Sequence, residues 1–155
     1  MKRFAPISYC LITMPFDKII PFELYVFFLF WIGCIGSVVG SFLNVLAYRI
    51  PRGMNIAFPA SHCPKCGAKI RPWHNIPILG WIILRGKCKD CHEPISPMYP
   101  IIEALTGFFW LIASMMVFPM ANENFTLWAL YSIGAGIALS VVWGAILVWA
   151  NRISN

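Results

Sequence analysis

The sequence predicts an all-α membrane protein with about three transmembrane helices and a cytoplasmic, four-cysteine, zinc-ribbon-like loop between the first and the second. Three observations support this prediction. Of the 155 residues, 59% are hydrophobic and only 12% are charged, whereas about 25% of the residues of an average soluble domain are charged. Long uncharged stretches alternate with polar ones. Two C-x-x-C pairs lie in the polar stretch that follows the first long apolar one.

The first 21 residues lack the pattern of a signal peptide. Their basic start, Lys2 and Arg3, is followed by an apolar run that two prolines, a serine and an aspartate interrupt. We therefore expect residues 1–21 to form a short extracytoplasmic lead-in that lies on the bilayer surface.

The first transmembrane helix is predicted over residues 22–47. The 20 residues from Leu24 to Leu43 include no charge, and at ~1.5 Å each they cross a ~30 Å hydrocarbon core. Gly36 and Gly40 are four residues apart, a spacing that lets another helix approach closely. Asn44 lies near the cytoplasmic edge and needs a polar partner there. We interpret this face as a packing surface for the chain's own helices.

Residues 48–99 form the predicted cytoplasmic loop, which is rich in cations. Eight of the 12 lysines and arginines lie here, opposed only by Asp90 and Glu93, so the side chains of the loop sum to +6 (8 − 2). The positive-inside rule places such a loop in the cytoplasm, although three cations precede the first span. The cations of the loop are Arg49, Arg52, Lys65, Lys69, Arg71, Arg85, Lys87 and Lys89.

The two C-x-x-C pairs of this loop offer four thiolates to one tetrahedral ion. Cys63 and Cys66 recur as Cys88 and Cys91, and the isoleucine and proline that follow recur at the same offset of 25 residues. This spacing is typical of a structural zinc site, whose four protein ligands leave no open position for catalysis. A cytoplasmic loop is kept reduced, which favours zinc over a disulfide or an empty site.

The loop also contains His62, His74 and His92. The first and the last adjoin cysteines and could replace one of them as a ligand. Because the set of four cysteines is complete, we interpret all three histidines as surface groups or as supports of the cysteines. Cys34, within the first span, is interpreted as a small packing residue. Tethering to a membrane favours contact of the basic loop with anionic lipid headgroups, and no nucleic-acid partner is expected.

Two further transmembrane helices are predicted, over residues 100–118 and residues 125–150. Glu103 lies in the first turn of the former, and the latter is uncharged throughout. Residues 120–124 (MANEN) form a predicted tight polar hairpin between them. This arrangement places the N-terminus outside and the C-terminus, with Arg152, in the cytoplasm.

Several runs of this sequence resemble the N-terminal region of the prepilin leader peptidase/N-methyltransferase family, in the same order and at the same spacing. The resemblance covers roughly residues 33–112. The runs are GSFLNVLAYRIP (40–51), FPASHCPKCG (58–67), NIPILGW (75–81), LRGKC (84–88) and ISPMYPIIEALT (95–106).

The resemblance implies an enzyme of the bacterial inner membrane that serves type IV pilus biogenesis, type II secretion or competence. Members remove the basic leader of prepilins on the cytoplasmic side. Many then methylate the new N-terminus with S-adenosylmethionine. Their peptidase chemistry uses two membrane-embedded aspartates, of which one activates water while the other, protonated, donates to the scissile carbonyl.

The chain departs from the family pattern where the catalytic aspartates would stand. In the family they belong to a C-terminal half with further spans, and the second lies in a Gly-x-Gly-Asp motif. Here Gly134 and Gly136 are followed by Ile137, and the aspartates are Asp17 and Asp90. We therefore assign no catalytic residue and expect that the chain alone does not cleave prepilins.

The expectation that this chain takes part in methylation depends on the resemblance alone. The sequence has no glycine-rich strand–turn–helix loop of a Rossmann-type methyltransferase. Ser96 and Pro97 also stand where some members have a Gly-Lys pair before the Tyr-Pro pair.

Three functions remain open at this point. The chain is the non-proteolytic N-terminal half of a prepilin peptidase without independent catalysis, or half of a split enzyme that a second chain with the aspartates completes, or a non-enzymatic subunit that docks prepilins or assembly proteins. A neighbouring reading frame that encodes Gly-x-Gly-Asp would distinguish the second from the others.

Overall fold

The computed structural model describes residues 22–118 and 125–153, and within these ranges the protein is all-helical without a strand. The predicted all-α fold class is confirmed. The predicted lead-in (1–21) and hairpin (120–124) lie outside the described residues. The α-helices are α1 (Phe22–Arg49), α2 (Leu79–Ile83), α3 (Met98–Val117) and α4 (Phe125–Ile153), and 3₁₀ turns cover Ile50–Arg52 and Pro72–His74.

Helices α1, α3 and α4 are each long and apolar enough to cross a membrane. With 20 residues, α3 is ~30 Å long, which just matches a hydrocarbon core. With 28 residues, α1 is ~42 Å long, so it extends beyond α3 at one end or both. The limits of the membrane spans within these helices remain predictions.

Helices α1 and α3 approach each other closely along the small residues of α1. A Cβ atom added at Gly36 would lie 2.8 Å from the Cβ of Trp110 and 2.9 Å from the Cα of Gly107. One added at Gly40 would lie 2.9 Å from the Cα of Glu103. Both glycines therefore permit a backbone approach that a larger residue would prevent.

One polar contact closes the same interface towards the loop. The side-chain amide of Asn44 donates a hydrogen bond to the carbonyl oxygen of Tyr99 at 3.1 Å. The interpretation of this face of α1 as a packing surface for the chain's own helices is confirmed.

Helices α3 and α4 are joined by side-chain hydrogen bonds in an otherwise apolar contact. The hydroxyl groups of Ser114 and Ser132 lie 3.0 Å apart, and the indole N–H of Trp110 donates to Ser140 at 2.9 Å. The indole N–H of Trp128 donates to the carbonyl of Ser114 at 3.0 Å. Such bonds contribute about 0.6 kcal/mol each within a membrane, and they fix the register of α4 against α3.

Aromatic side chains close the bundle at the end away from the loop. The rings of Tyr25 and Phe118 have centroids 4.9 Å apart, and those of Phe28 and Phe125 have centroids 4.5 Å apart. The buried ring of Trp128 lies among them. The loop between α1 and α3 packs against the opposite end, where Arg49 and Glu103 lie.

Candidate metal centre and adjoining cavity

The loop brings its four cysteines together. The sulfur atoms of Cys63, Cys66, Cys88 and Cys91 all lie within 4.8 Å of one another, and those of Cys63 and Cys91 are 3.8 Å apart. Sulfur atoms at ~2.3 Å from a tetrahedral zinc ion are separated by about 3.8 Å. The cluster can therefore hold a metal ion such as zinc. Among the residues that the structure describes, the metal-capable cluster consists of these four cysteines, without a histidine.

The sequence repeat of the two cysteine pairs is also a structural repeat. Each cysteine pair lies in a short turn, here called a knuckle (residues 61–70 and 86–95). In each knuckle, the N–H of the first cysteine donates to the carbonyl oxygen five residues later, and the carbonyl oxygen of the same cysteine accepts from the N–H four residues later. A third bond flanks each knuckle. The pairs are Cys63–Ala68 (2.9 Å) and Cys88–Glu93 (2.8 Å), Gly67–Cys63 (2.9 Å) and His92–Cys88 (3.1 Å), and Ile70–Ser61 (2.9 Å) and Ile95–Gly86 (2.7 Å).

The residue after each C-x-x-C pair turns the chain through a left-handed conformation. Gly67 has φ 73° and His92, at the equivalent position, has φ 58°. Glycine adopts this conformation without a steric penalty, whereas histidine does so at a cost. His92 therefore completes the turn of the second knuckle through its backbone. His62 has its Nδ1 atom 3.0 Å from the carbonyl oxygen of Ala60.

The thiols of the cluster differ in acidity. Hydrogen bonds from the backbone amides of Cys66 and Lys65 lower the pKa of Cys63 to about 7. A backbone hydrogen bond at Glu93 favours ionisation of Cys91, but burial and the three neighbouring thiols raise its pKa to about 12. The Cys63 thiolate thus forms readily, whereas Cys91 resists ionisation, because hydrogen bonds with the neighbouring sulfur atoms favour its neutral thiol. A bound cation would remove that resistance, which is the property of a metal site.

Arg49, at the end of α1, fixes the start of the loop. Its guanidinium group is buried and donates to the carbonyl oxygens of Asn55 (3.0 Å), Ile56 (3.2 Å) and Pro59 (2.6 Å). These bonds hold residues 55–59 against the end of the bundle, shortly before the first knuckle. From the sequence, Arg49 was identified only as one of the loop's cations, and its hydrogen bonds to residues 55–59 were not predicted.

Glu103 of α3 holds the middle of the loop. Its buried carboxyl group accepts a hydrogen bond from the N–H of Ile78 at 2.7 Å and another from Ser41 of α1. Ile78 is the centre of a γ-turn with φ 62° and ψ −53°, closed by a 2.6 Å bond from the N–H of Leu79 to the carbonyl of Pro77. A positive φ is rare for a β-branched residue and is strained. Glu103 therefore stabilises an unfavourable turn.

The γ-turn leads into α2, which connects to the second knuckle through Trp81. The indole N–H of Trp81 donates to the carbonyl of Ile95 at 3.0 Å. The ring lies against Gly86, where an added Cβ would come within 2.8 Å of it and where φ is 67°. A larger residue at position 86 would therefore be disfavoured twice, by the contact with the Trp81 ring and by the positive φ.

A cavity of about 420 Å³ lies between the zinc-ribbon-like loop (residues 50–97, here called the ribbon) and the adjoining ends of α1 and α3. Its volume is within the ~300–1,000 Å³ range of small-molecule sites. Charged, amide and aromatic groups face it together with apolar ones. Lining residues include Asn44, Arg49, Cys63, Trp81, Tyr99 and Glu103.

Sequence reasoning placed Glu103 within a span but gave it no role. A signal was available, because an ionisable residue inside a predicted span is costly and needs a partner. The partner could not be identified, since the N–H of Ile78 is 25 residues away in a segment without a pattern that points to α3.

Comparisons with known proteins agree with the geometry of the loop and the bundle. Residues 34–117 match a family described as the bacterial peptidase A24 N-terminal domain. A "Prepilin leader peptidase/N-methyltransferase" of Myxococcus xanthus (strain DK1622) is 45% identical over 87 residues, which are 56% of this chain and 25% of that protein. One of Neisseria gonorrhoeae is 42% identical over an alignment of 104 positions, and the match covers 51% of this chain and 36% of that protein.

A "Type 4 prepilin-like proteins leader peptide-processing enzyme" of Escherichia coli O78:H11 is 38% identical over an alignment of 99 positions, and the match covers 52% of this chain and 37% of that protein. The chain thus spans between a quarter (25%) and two fifths (40%) of the length of these curated relatives and others like them. No solved structure is a significant match.

Proposed function

Since this chain belongs to the bacterial peptidase A24 N-terminal domain family, we propose that it is the non-proteolytic N-terminal part of a prepilin peptidase of the bacterial inner membrane. The single observation that supports this most is the family match over residues 34–117. The matched range includes most of α1, the whole ribbon and all of α3, and so it contains the hydrogen bonds of Arg49 and Glu103 that join the ribbon to α1 and α3.

The acids of the described residues favour a structural role over proteolysis. The carboxyl group of Glu103 is bonded to Ile78 and Ser41, and Glu93 lies 3.7 Å from the ammonium group of Lys65. Helix α4 contains no acid at all. Two carboxyl groups that share a proton would come from spans outside these 155 residues, either on the same polypeptide or on a second chain.

In this proposal the four cysteines hold a structural zinc ion. Cys63 and Cys66 would bind it from the first knuckle, and Cys88 and Cys91 from the second. When bound, the ion would neutralise the thiolates and lock the two knuckles against each other. The ribbon would then present a fixed wall to the cavity above the bundle.

The proposal also includes an orientation and a substrate. The basic loop faces the cytoplasm by the positive-inside rule, and prepilins meet the enzyme on that side. The names of the relatives supply the substrate class. Methylation with S-adenosylmethionine is supported by those names alone, and we assign no residue to it.

A second candidate function is docking of prepilins or assembly proteins without catalysis. The cavity of about 420 Å³ between ribbon and bundle favours it, because a partly apolar cavity beside the membrane can receive a segment of a partner. Half of a split enzyme is a variant of the first proposal, in which the aspartates stand on a second chain.

The test is cleavage by the isolated 155-residue chain. The chain, loaded with zinc in detergent or lipid, is incubated with a prepilin, and loss of the leader is followed on a gel. We expect no cleavage, while a complete prepilin peptidase cleaves in the same buffer. Cleavage that persists in the Asp17→Ala and Asp90→Ala variants would contradict the proposal, because it would show a peptidase mechanism within this chain.

A further inference from the structure

The segment of residues 73–83, here called the interfacial segment, exposes large apolar side chains although it belongs to a basic loop. It contains the end of the 3₁₀ turn, the γ-turn at Ile78 and all of α2. More than half of the residue surface is exposed in Trp73 (56%), Leu79 (53%), Ile82 (55%) and Ile83 (60%), and Ile76 is 44% exposed. Five such residues in 11 positions would be unfavourable in water.

The hydrogen bond between Ile78 and Glu103 places this segment at the depth of the bundle. Glu103 is five residues into α3, so its Cα lies ~7.5 Å from the start of that helix. Gly40 of α1, which packs on Glu103, lies nine residues before the end of α1, or ~13 Å from it. The interfacial segment therefore lies beside the cytoplasmic ends of the spans and does not extend above them.

This depth corresponds to the edge of the hydrocarbon core. Because α3 is only ~30 Å long, almost its whole length is needed to cross the core, and its first turns lie at the boundary with the headgroups. Ile78 is level with these turns. The exposed apolar side chains around it consequently face lipid at the boundary.

The backbone of the segment is suited to a medium poor in water. The N–H groups of Ile78, Leu79, Gly80 and Ile82 all have acceptors within the protein. An unbonded N–H group at this depth would cost several kcal/mol. The carboxyl group of Glu103 thus supplies the acceptor that the γ-turn itself cannot supply.

Cations flank the segment on both sides. Between residues 71 and 90 the chain has four cations and one acid, Asp90. All four cations are exposed to solvent, as is Asp90. An apolar face with a cationic border and a tryptophan is typical of segments that lie in the plane of an anionic membrane surface. The cations are Arg71, Arg85, Lys87 and Lys89.

We infer that residues 73–83 insert into the headgroup–acyl boundary of the bilayer and that the flanking cations bind anionic lipid headgroups. The ribbon is then held at the membrane at a third place, besides its connections to α1 and α3. This contact fixes the tilt of the ribbon, and with it the cavity, relative to the membrane plane. The partner is a lipid surface, and insertion does not depend on the proposed function.

Site-specific photo-crosslinking of the complete, zinc-loaded chain tests the insertion. Benzoylphenylalanine is introduced separately at Leu79, Ile83, Met116 and Lys69, and the chain is irradiated in nanodiscs that contain phosphatidylglycerol. Met116, 72% exposed on α3, is the positive control, and Lys69, exposed on the first knuckle, is the negative control. Each variant is first shown to bind as much zinc as the wild type.

We expect lipid adducts, detected by mass spectrometry, at Leu79, Ile83 and Met116 but not at Lys69. An adduct at Met116 without one at Leu79 or Ile83 would overturn the inference. Crosslinks from Leu79 or Ile83 to a protein, including a second copy of this chain, would also overturn it, because they would show that the face is covered by protein.

A second arm tests the cations. With Arg85→Gln and Lys87→Gln together, the yield of lipid adduct at Ile83 should fall several-fold in phosphatidylglycerol discs and stay unchanged in phosphatidylcholine discs. An unchanged yield in the anionic discs would overturn the assignment of these cations to lipid headgroups. An equal fall in both discs would overturn it too, since it would show a loss of structure in place of a loss of charge.

Discussion

The side chains that define this protein's loop act through a small number of directed bonds. Cys63 and Cys88 are 25 residues apart, and each opens a knuckle whose hydrogen bonds repeat those of the other. The knuckles meet at their sulfur atoms, which lie within 4.8 Å of one another. Glu103 fixes the chain between the knuckles by bonding to Ile78. Replacement of any of these side chains should therefore alter the structure of the loop around it, in addition to removing its own atoms.

We expect about one zinc ion per purified chain, because four thiolates saturate a tetrahedral ion. Cys63→Ser and Cys88→Ser should each lose most of this zinc, since each removes a thiolate from a closed site. Cys34→Ser is the matched control, because Cys34 lies within α1 and outside the cluster. Metal analysis by mass spectrometry measures the result. Stoichiometric zinc in both of the first two variants would contradict the four-cysteine assignment.

Glu103→Ala should leave the N–H of Ile78 without an acceptor at a cost of about 1–3 kcal/mol, and the strained γ-turn should open. Glu103→Gln keeps an acceptor oxygen and is expected to retain the turn. Amide hydrogen exchange at Ile78 and Leu79, measured on the chain in detergent, distinguishes the two. We expect fast exchange in the alanine variant and slow exchange in the glutamine variant. Slow exchange in both would show that the turn does not depend on Glu103.

The helices pack by two different means. Helix α1 meets α3 through glycines that allow the backbones to approach, and α3 meets α4 through serine and tryptophan hydrogen bonds. Neither contact is driven by exclusion of water, because lipid surrounds the bundle, so close packing and polar bonds contribute most. The α1–α3 contact should be the less tolerant of added volume, since backbone atoms of Glu103 and Gly107 are among its partners.

Gly40→Ala should destabilise the bundle by about 1–3 kcal/mol, because the new Cβ would clash with the backbone of α3 and force the helices apart. Gly134→Ala, on α4, is the matched control. No atom lies within 4 Å of a Cβ built there, and alanine is the better helix former by up to about 1 kcal/mol. Thermal unfolding in detergent should show a lower midpoint for the first variant and an equal or higher one for the second. A similar fall in both would contradict the packing described for α1 and α3.

The sequence alone predicted the three long helices and the four cysteines, because both depend on local signals. Hydropathy over 20 or more residues identifies a span, and the 25-residue repeat identifies the knuckles. The sequence alone did not predict α2, the γ-turn at Ile78 or the roles of Arg49 and Glu103. Each of these depends on a contact between distant segments, and a five-residue helix has too few residues for a periodic pattern.

As a whole, the chain is a membrane bundle with a basic ribbon at one end and aromatic rings at the other. The ribbon is joined to the bundle by Arg49 and Glu103, so its position relative to the spans is fixed. Whichever side of the membrane the ribbon faces, the cavity faces the same side. Orientation therefore determines which partners can reach the cavity and whether the thiols remain reduced.

Reporter fusions should show the ribbon in the cytoplasm, because eight of the 12 cations lie in residues 48–99. A phosphatase or fluorescent-protein reporter after Lys69 should give a cytoplasmic signal, and one after Asn122 should give a periplasmic signal. Periplasmic activity at Lys69 would overturn the orientation and with it the argument for reduced thiols.

The central claim is the proposal that this chain corresponds to the N-terminal part of a prepilin peptidase, whose catalytic aspartates stand on other spans of the same polypeptide or on a second chain. Reconstitution in trans measures this directly: the chain is co-expressed with a C-terminal segment that contains Gly-x-Gly-Asp, and prepilin cleavage is followed on a gel. The matched N-terminal part of the Myxococcus xanthus relative, paired with the same segment, is the positive control. We predict cleavage with the wild-type chain and strongly reduced cleavage with its Cys63→Ser variant. Cleavage with the control part but none with this chain would contradict the claim.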